Sequence, residues 1–83
     1  MYPTHNPDGT CTKEYFQAVR AVNFVRDTGH SWEIDPNWSS DFVRIWTLHV
    51  KNLANNRGYI AVIAGSTLIL MTEEDFDASR ANR

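Results

Sequence analysis

The chain has 83 residues and a formal net charge of −2, with 42% hydrophobic and 22% charged residues. Its length leaves room for one small domain, and its composition is close to that of ordinary globular proteins, unlike disordered or coiled-coil chains. Domains that bind by neutralising phosphates usually carry a basic face. Nucleic acid is therefore a less favoured partner than another protein.

Cys11 is the single cysteine, so an internal disulfide is impossible and a reducing compartment is the simpler location. The N-terminus lacks the basic and apolar pattern of a secretion signal, and no apolar run approaches the roughly 18 residues of a membrane span. We therefore expect a small soluble cytoplasmic protein without membrane contact.

The first half of the chain predicts an arm followed by a helix. Residues 1–11 contain Pro-Asp-Gly turn chemistry. From Thr12, a potential cap, apolar side chains recur at helical spacing, and Gly29 supplies a stop, which predicts a helix over 12–28. The apolar stripe of this helix comprises Tyr15, Phe16, Val19, Val22 and Val25.

The segment 30–38 predicts a connection, in which only 31–34 suit a short strand. A second helix over 39–56 is predicted because Trp38, Ser39 and Val43 occupy the positions of a hydrophobic staple. The β-branched and aromatic residues inside this segment also suit a strand. A helix with a three-stranded meander is therefore the alternative.

Gly58, the left-handed residue expected to end this helix, leads into a β-hairpin with strands 58–64 and 67–71. The Gly65-Ser66 pair between them suits a type II′ turn. Both strands are apolar on nearly every residue. Such a hairpin needs cover on both faces, from the helices on one side and from a partner or a second copy on the other.

Thr72 is predicted to cap a short last helix over 72–79, whose acids suit its positive N-terminal end. The sequence thus predicts a single α+β domain over 12–79, with two helices packed on the hairpin. A tail over 80–83 follows.

No residue pattern predicts an enzyme, a cofactor or a metal site. Cys11 and His5 could form a thiolate–imidazole pair, but they lie six residues apart in a turn-rich arm with no third group expected to orient the ring. We expect solvated side chains and a dispensable Cys11. His49 is predicted to be a core histidine whose ring forms one hydrogen bond.

Off-stripe apolar residues indicate a contact surface. Phe24 projects among the polar residues of the first helix, where it meets another element or a partner, and Leu48 lies off the stripe of the second. Interface cores favour aromatic residues and their rims are polar. The predicted partner-binding residues are Phe24, Trp32, Leu48, Glu73, Glu74 and Asp77.

The hairpin and the run Thr72-Glu73-Glu74-Asp75-Phe76 resemble the hairpin and S/T-x-E-D-Y/F helix start of Phd-type antitoxins, which are small dimeric DNA-binding proteins. The chain departs from that pattern, since a helix replaces the initial strand and Ala64 replaces a basic residue before the turn glycine. The resemblance implies a small DNA-binding regulator as the alternative function.

The residues themselves favour a non-enzymatic binding protein that acts by stoichiometric contact with another protein. Inhibitors, adaptors and phage or mobile-element accessory proteins are of this kind. A homodimer is one assembly that would cover the hairpin.

Overall fold

The structure is a computed structural model that describes residues 3–81. It confirms the α+β class, with three helices and one antiparallel sheet in the described residues. The elements are α1 (Lys13–Thr28), β1 (Trp32–Glu33), α2 (Ser40–Asn56), β2 (Ile60–Ala64), β3 (Thr67–Met71) and α3 (Glu73–Ala81). The strand order is β1-β3-β2, so β3 is central and β2 forms one edge.

Helices α1 and α2 lie side by side and run in the same direction. Tyr15 packs edge-on against His49, with ring centroids 5.4 Å apart, and Arg57 donates a hydrogen bond to the amide oxygen of Asn23 at 2.6 Å. Both pairs join residues 34 positions apart, as expected when the two helices are parallel.

The core lies between these helices and one face of the sheet. Small side chains on α1 leave volume for the fully buried indole of Trp46. Completely buried residues are Ala18, Ala21, Val22, Trp46, Val50, Ala54 and Leu68. Among the described residues, no helix combines the length and apolar character required to cross a bilayer.

The position of Phe16 corrects the predicted α1 stripe, because its side chain is 52% exposed. The buried face is centred on Ala18, Ala21 and Val22. At 100° per residue, this face points away from Phe16. The prediction weighted large apolar residues and neglected the alanines.

The helical prediction for 42–50 is confirmed. The Oγ of Ser39 accepts a hydrogen bond from the N–H of Phe42 at 3.1 Å, as its N-cap position requires. Trp38 packs against Phe42 and Trp46, with centroid distances of 4.7 and 5.6 Å. These contacts anchor the start of α2 and override the strand propensity of its β-branched residues.

β2 begins two residues later than predicted, at Ile60. Gly58 has φ 81°, and its N–H donates to the carbonyl of Asn55, while Tyr59 N–H donates to that of Ala54. This pair of hydrogen bonds is a Schellman motif. Residues 58 and 59 therefore end α2 instead of starting the strand.

Two further boundaries differ from the predictions. Thr12 occupies the N-cap of α1 without a capping bond from its side chain, since its hydroxyl donates to backbone carbonyls in the arm. Thr72 does cap α3, accepting from Asp75 N–H at 3.1 Å, but the helix continues to Ala81. Residues 80 and 81 of the predicted tail are thus helical, and the other two lie outside the described range.

Candidate functional site

The predicted partner-binding residues do not form one patch. Phe24 is 40% exposed, and its ring meets Trp32 edge-on at 5.5 Å. Leu48, 45% exposed, lines a separate hollow. Glu73, Glu74 and Asp77 are exposed on α3 and form no ion pair within residues 3–81. Phe24 and Trp32 are in mutual contact, and the three acids share α3.

The sheet has two apolar faces, of which one packs against the core and the other is partly covered. Leu68 is fully buried, and Ala61, Ile63 and Leu70 pack against the same core. The alternate residues point to the opposite side. These partly buried apolar residues are Ile60, Val62, Ile69 and Met71. Helices α1 and α2 therefore cover one side of the hairpin, as predicted.

The hydrogen-bond register shows which groups β2 presents at its free edge. Ile34 N–H donates to the carbonyl of Ser66 at 2.7 Å, so Ser66 and Leu68 direct their main-chain groups toward β1. Because main-chain groups alternate in direction along a strand, the N–H and C=O groups of Thr67, Ile69 and Met71 point toward β2. Their partners there are Ala64, Val62 and Ile60, respectively. The N–H and C=O groups of Ala61 and Ile63 consequently point away from the sheet.

A groove of about 600 Å³ runs along this edge, and we call it the β2 groove. One wall is the flank of α2 that carries Thr47, Lys51 and Asn55, and the ring of Phe76 from α3 forms another part. Residues 59–63 form the floor. The groove thus combines outward main-chain groups and a largely apolar floor with one polar wall from α2.

Among residues 3–81, Lys51 is the one charged side chain that lines the β2 groove. It is exposed and forms no ion pair among the described residues. Edge strands are commonly protected by charged residues or proline. β2, with the sequence IAVIA, contains neither. This signal was present in the sequence, but predicting the edge also required the strand order.

His49 is buried in the core as predicted, with 6% exposure. The predicted hydrogen bond is not found at Nε2, which is buried without a partner. Burial lowers the pKa of the imidazole, while the nearby Glu14 carboxylate acts weakly in the opposite direction. The ring is therefore held in its neutral form at neutral pH.

Cys11 and His5 are both exposed, as predicted, but the structure places them in contact and gives the ring a third partner. The Sγ of Cys11 lies 3.6 Å from Nε2 of His5, and Thr4 supplies a third group that contacts the ring. No cluster of three or more His, Cys, Asp or Glu side chains suited to a metal occurs within residues 3–81.

Comparison of this chain with known protein families, with curated proteins and with solved structures found no match.

Proposed function

We propose that this protein is a non-enzymatic binding protein that takes up an extended segment of another protein along the β2 groove. The observation that supports this most strongly is the open edge at Ala61 and Ile63, whose main-chain groups point into an apolar groove. An added strand would pair with these groups, and such main-chain pairing provides affinity in β-augmentation.

The groove also indicates the chemistry of the bound segment. Side chains of an added strand would alternate between the two sides of the sheet. On the α2 side they would approach Lys51, where an acidic residue is complementary in charge. On the opposite side they would lie beside Ile60 and Val62, where apolar residues fit. We therefore propose an extended partner segment that alternates acidic and apolar residues.

The test begins with selection of ligands from a random displayed peptide library on the immobilised protein. We expect the selected peptides to alternate acidic and apolar residues. Ala61→Pro removes an outward N–H without breaking the pairing to β3, so it should abolish peptide binding with little change in melting temperature. Peptide binding that is unchanged in this variant would overturn the proposal.

Val62→Pro is the matched control, because Val62 N–H points toward β3. This substitution should destabilise the sheet instead of acting selectively on binding. Lys51→Glu should reverse the charge preference of the groove and weaken binding of the selected acidic peptides. Loss of peptide binding in an Ala61→Pro protein that remains folded, together with weaker binding by Lys51→Glu, would assign binding to the groove.

Two measurements distinguish other occupants of the groove. Sedimentation that shows a dimer abolished by Ala61→Pro would identify a second copy as the occupant. Binding to labelled duplex DNA that falls steeply with salt, as counterion release requires, would favour the DNA-binding regulator. We expect no such salt-dependent DNA binding, given the net charge of −2.

A further inference from the structure

The N-terminal arm holds a cluster of reactive side chains that does not belong to the β2 groove. Cys11 is exposed, and its Sγ lies 3.6 Å from His5 Nε2. On the other side of the ring, His5 Nδ1 lies 2.9 Å from the hydroxyl of Thr4. A nucleophile, a base and a group that orients the base are the parts required to activate a thiol.

Backbone pairing within the arm fixes this arrangement. His5 and Cys11 form an antiparallel β-bridge. The N–H of Thr12 donates to the carbonyl of Thr4 at 2.9 Å, and the hydroxyl of Thr12 donates to the carbonyl of Pro3 at 3.2 Å. His5 and Cys11 thus occupy facing positions in a closed loop, and their proximity does not depend on the rotamer of one long side chain.

Thr4 also lines a hollow of about 520 Å³ between the arm, α1 and α2. Tyr15, Leu48 and His49 contribute to its walls. His49 is more than nine-tenths buried, and its Nε2 lacks a hydrogen-bond partner. That nitrogen is buried behind the wall, so the hollow itself is largely apolar, and apolar hollows of this size are typical of small-molecule sites. Cys11 and His5 do not line this hollow, but Thr4 contacts both the hollow and the His5 ring, so the hollow lies beside the reactive pair.

We propose that Cys11 is a reactive thiol that exchanges with low-molecular-mass disulfides. His5, in the tautomer protonated on Nδ1, donates to Thr4 and accepts the thiol proton of Cys11 at Nε2. The Cys11 sulfur attacks one sulfur of the disulfide, and the S–S bond breaks with its electron pair on the departing sulfur. That thiolate takes the proton from His5. The products are a mixed disulfide on Cys11 and one free thiol.

The reaction is measured at neutral pH with dithiodipyridine, a neutral aromatic disulfide whose released thione absorbs light. N-acetylcysteine serves as the reference thiol, and mass spectrometry counts one modification per chain. Base assistance should make Cys11 react about tenfold faster than the reference or more. His5→Gln should reduce the rate to that of the reference. Equal rates for the wild-type protein and either comparison would overturn the proposal.

Thr4 is a positioning residue, and its test uses two matched variants. Thr4→Val removes the hydroxyl at constant shape, so it should lower the rate and change its pH profile in the same way as His5→Gln. Thr4→Ser retains a hydroxyl and should restore both. Identical pH profiles for the two variants would contradict this role.

The contribution of the hollow is tested with Leu48→Asp, which places a charge in its wall. We expect slower reaction with dithiodipyridine but an unchanged rate with iodoacetamide, a small alkylating reagent that does not need the hollow. Equal slowing of both reactions, or of neither, would contradict binding in the hollow. Circular dichroism of each variant confirms that the folded state is retained.

Discussion

Phe16 and Phe24 show how two residues of one type on the exposed side of α1 have different roles. Arg20 lies 5.8 Å from the ring centroid of Phe16, whereas Phe24 packs edge-on against Trp32. An aromatic pair of this geometry contributes about 1 kcal/mol beyond the area that it buries. Phe24 therefore connects α1 to β1, while most of Phe16 remains in solvent.

Phe24→Ala should accordingly lower the free energy of unfolding by about 1–2 kcal/mol, through loss of the Trp32 contact and of partial burial. Phe16→Ala is the matched variant and should change it by less than about 0.5 kcal/mol. Urea denaturation measures both values. Equal destabilisation by the two substitutions would show that Phe24 has no particular structural role.

His49 should make stability depend on pH. Because burial lowers the pKa of its imidazole, the unfolded chain binds this proton more readily than the folded protein. The folded protein therefore has its full stability above the pKa of an unfolded histidine, about 6.5. As the pH falls below that value, protonation of His49 in the unfolded chain lowers the free energy of unfolding. Thermal melts from neutral to mildly acidic pH should show a shallower decline for His49→Gln than for the wild-type protein.

His30→Gln is the control for this experiment, since His30 is an exposed histidine. The melting temperature of His30→Gln should decline with falling pH as steeply as that of the wild-type protein. Identical slopes for the wild-type protein and His49→Gln would contradict the proposed effect of burial.

At the scale of elements, the turn of the hairpin depends on one backbone conformation. Gly65 has φ 63°, and no non-glycine residue with positive φ occurs in the described range. A Cβ at Gly65 would meet no atom within 4 Å. Gly65→Ala should therefore destabilise by about 1 kcal/mol through backbone strain alone.

Chemical synthesis with D-alanine at position 65 provides the control, because D-residues favour positive φ. The D-alanine protein should retain at least wild-type stability in thermal denaturation. If L- and D-alanine destabilise equally, the cost arises from something other than the backbone conformation.

The sequence was sufficient to predict elements whose ends are encoded locally. Ser39, Gly58 and Thr72 each mark a boundary through a side-chain cap or a glycine turn, and the structure places each at a helix end. β1 was not predicted as an element, because its two residues pair with β3 from a distant part of the chain. Local propensity does not contain that information.

At the scale of the whole molecule, the helices are distributed unevenly around the sheet. α1 and α2 pack on one face, whereas the other face carries the partly buried residues Ile60, Val62, Ile69 and Met71. The sequence predicted this two-faced hairpin from its apolar strands. It did not predict the open edge of β2, which follows from the order β1-β3-β2. The contact surface that we propose is consequently set by topology.

Amide hydrogen exchange measured by NMR tests the open edge most directly. In the free protein we expect fast exchange at Ala61 and Ile63, and slow exchange at Ile60 and Val62, whose N–H groups point toward β3. On addition of a selected acidic–apolar peptide, Ala61 and Ile63 should become protected as their main-chain groups pair with the added strand. Slow exchange at Ala61 and Ile63 in the free protein, or no protection there in the complex, would contradict strand addition at β2.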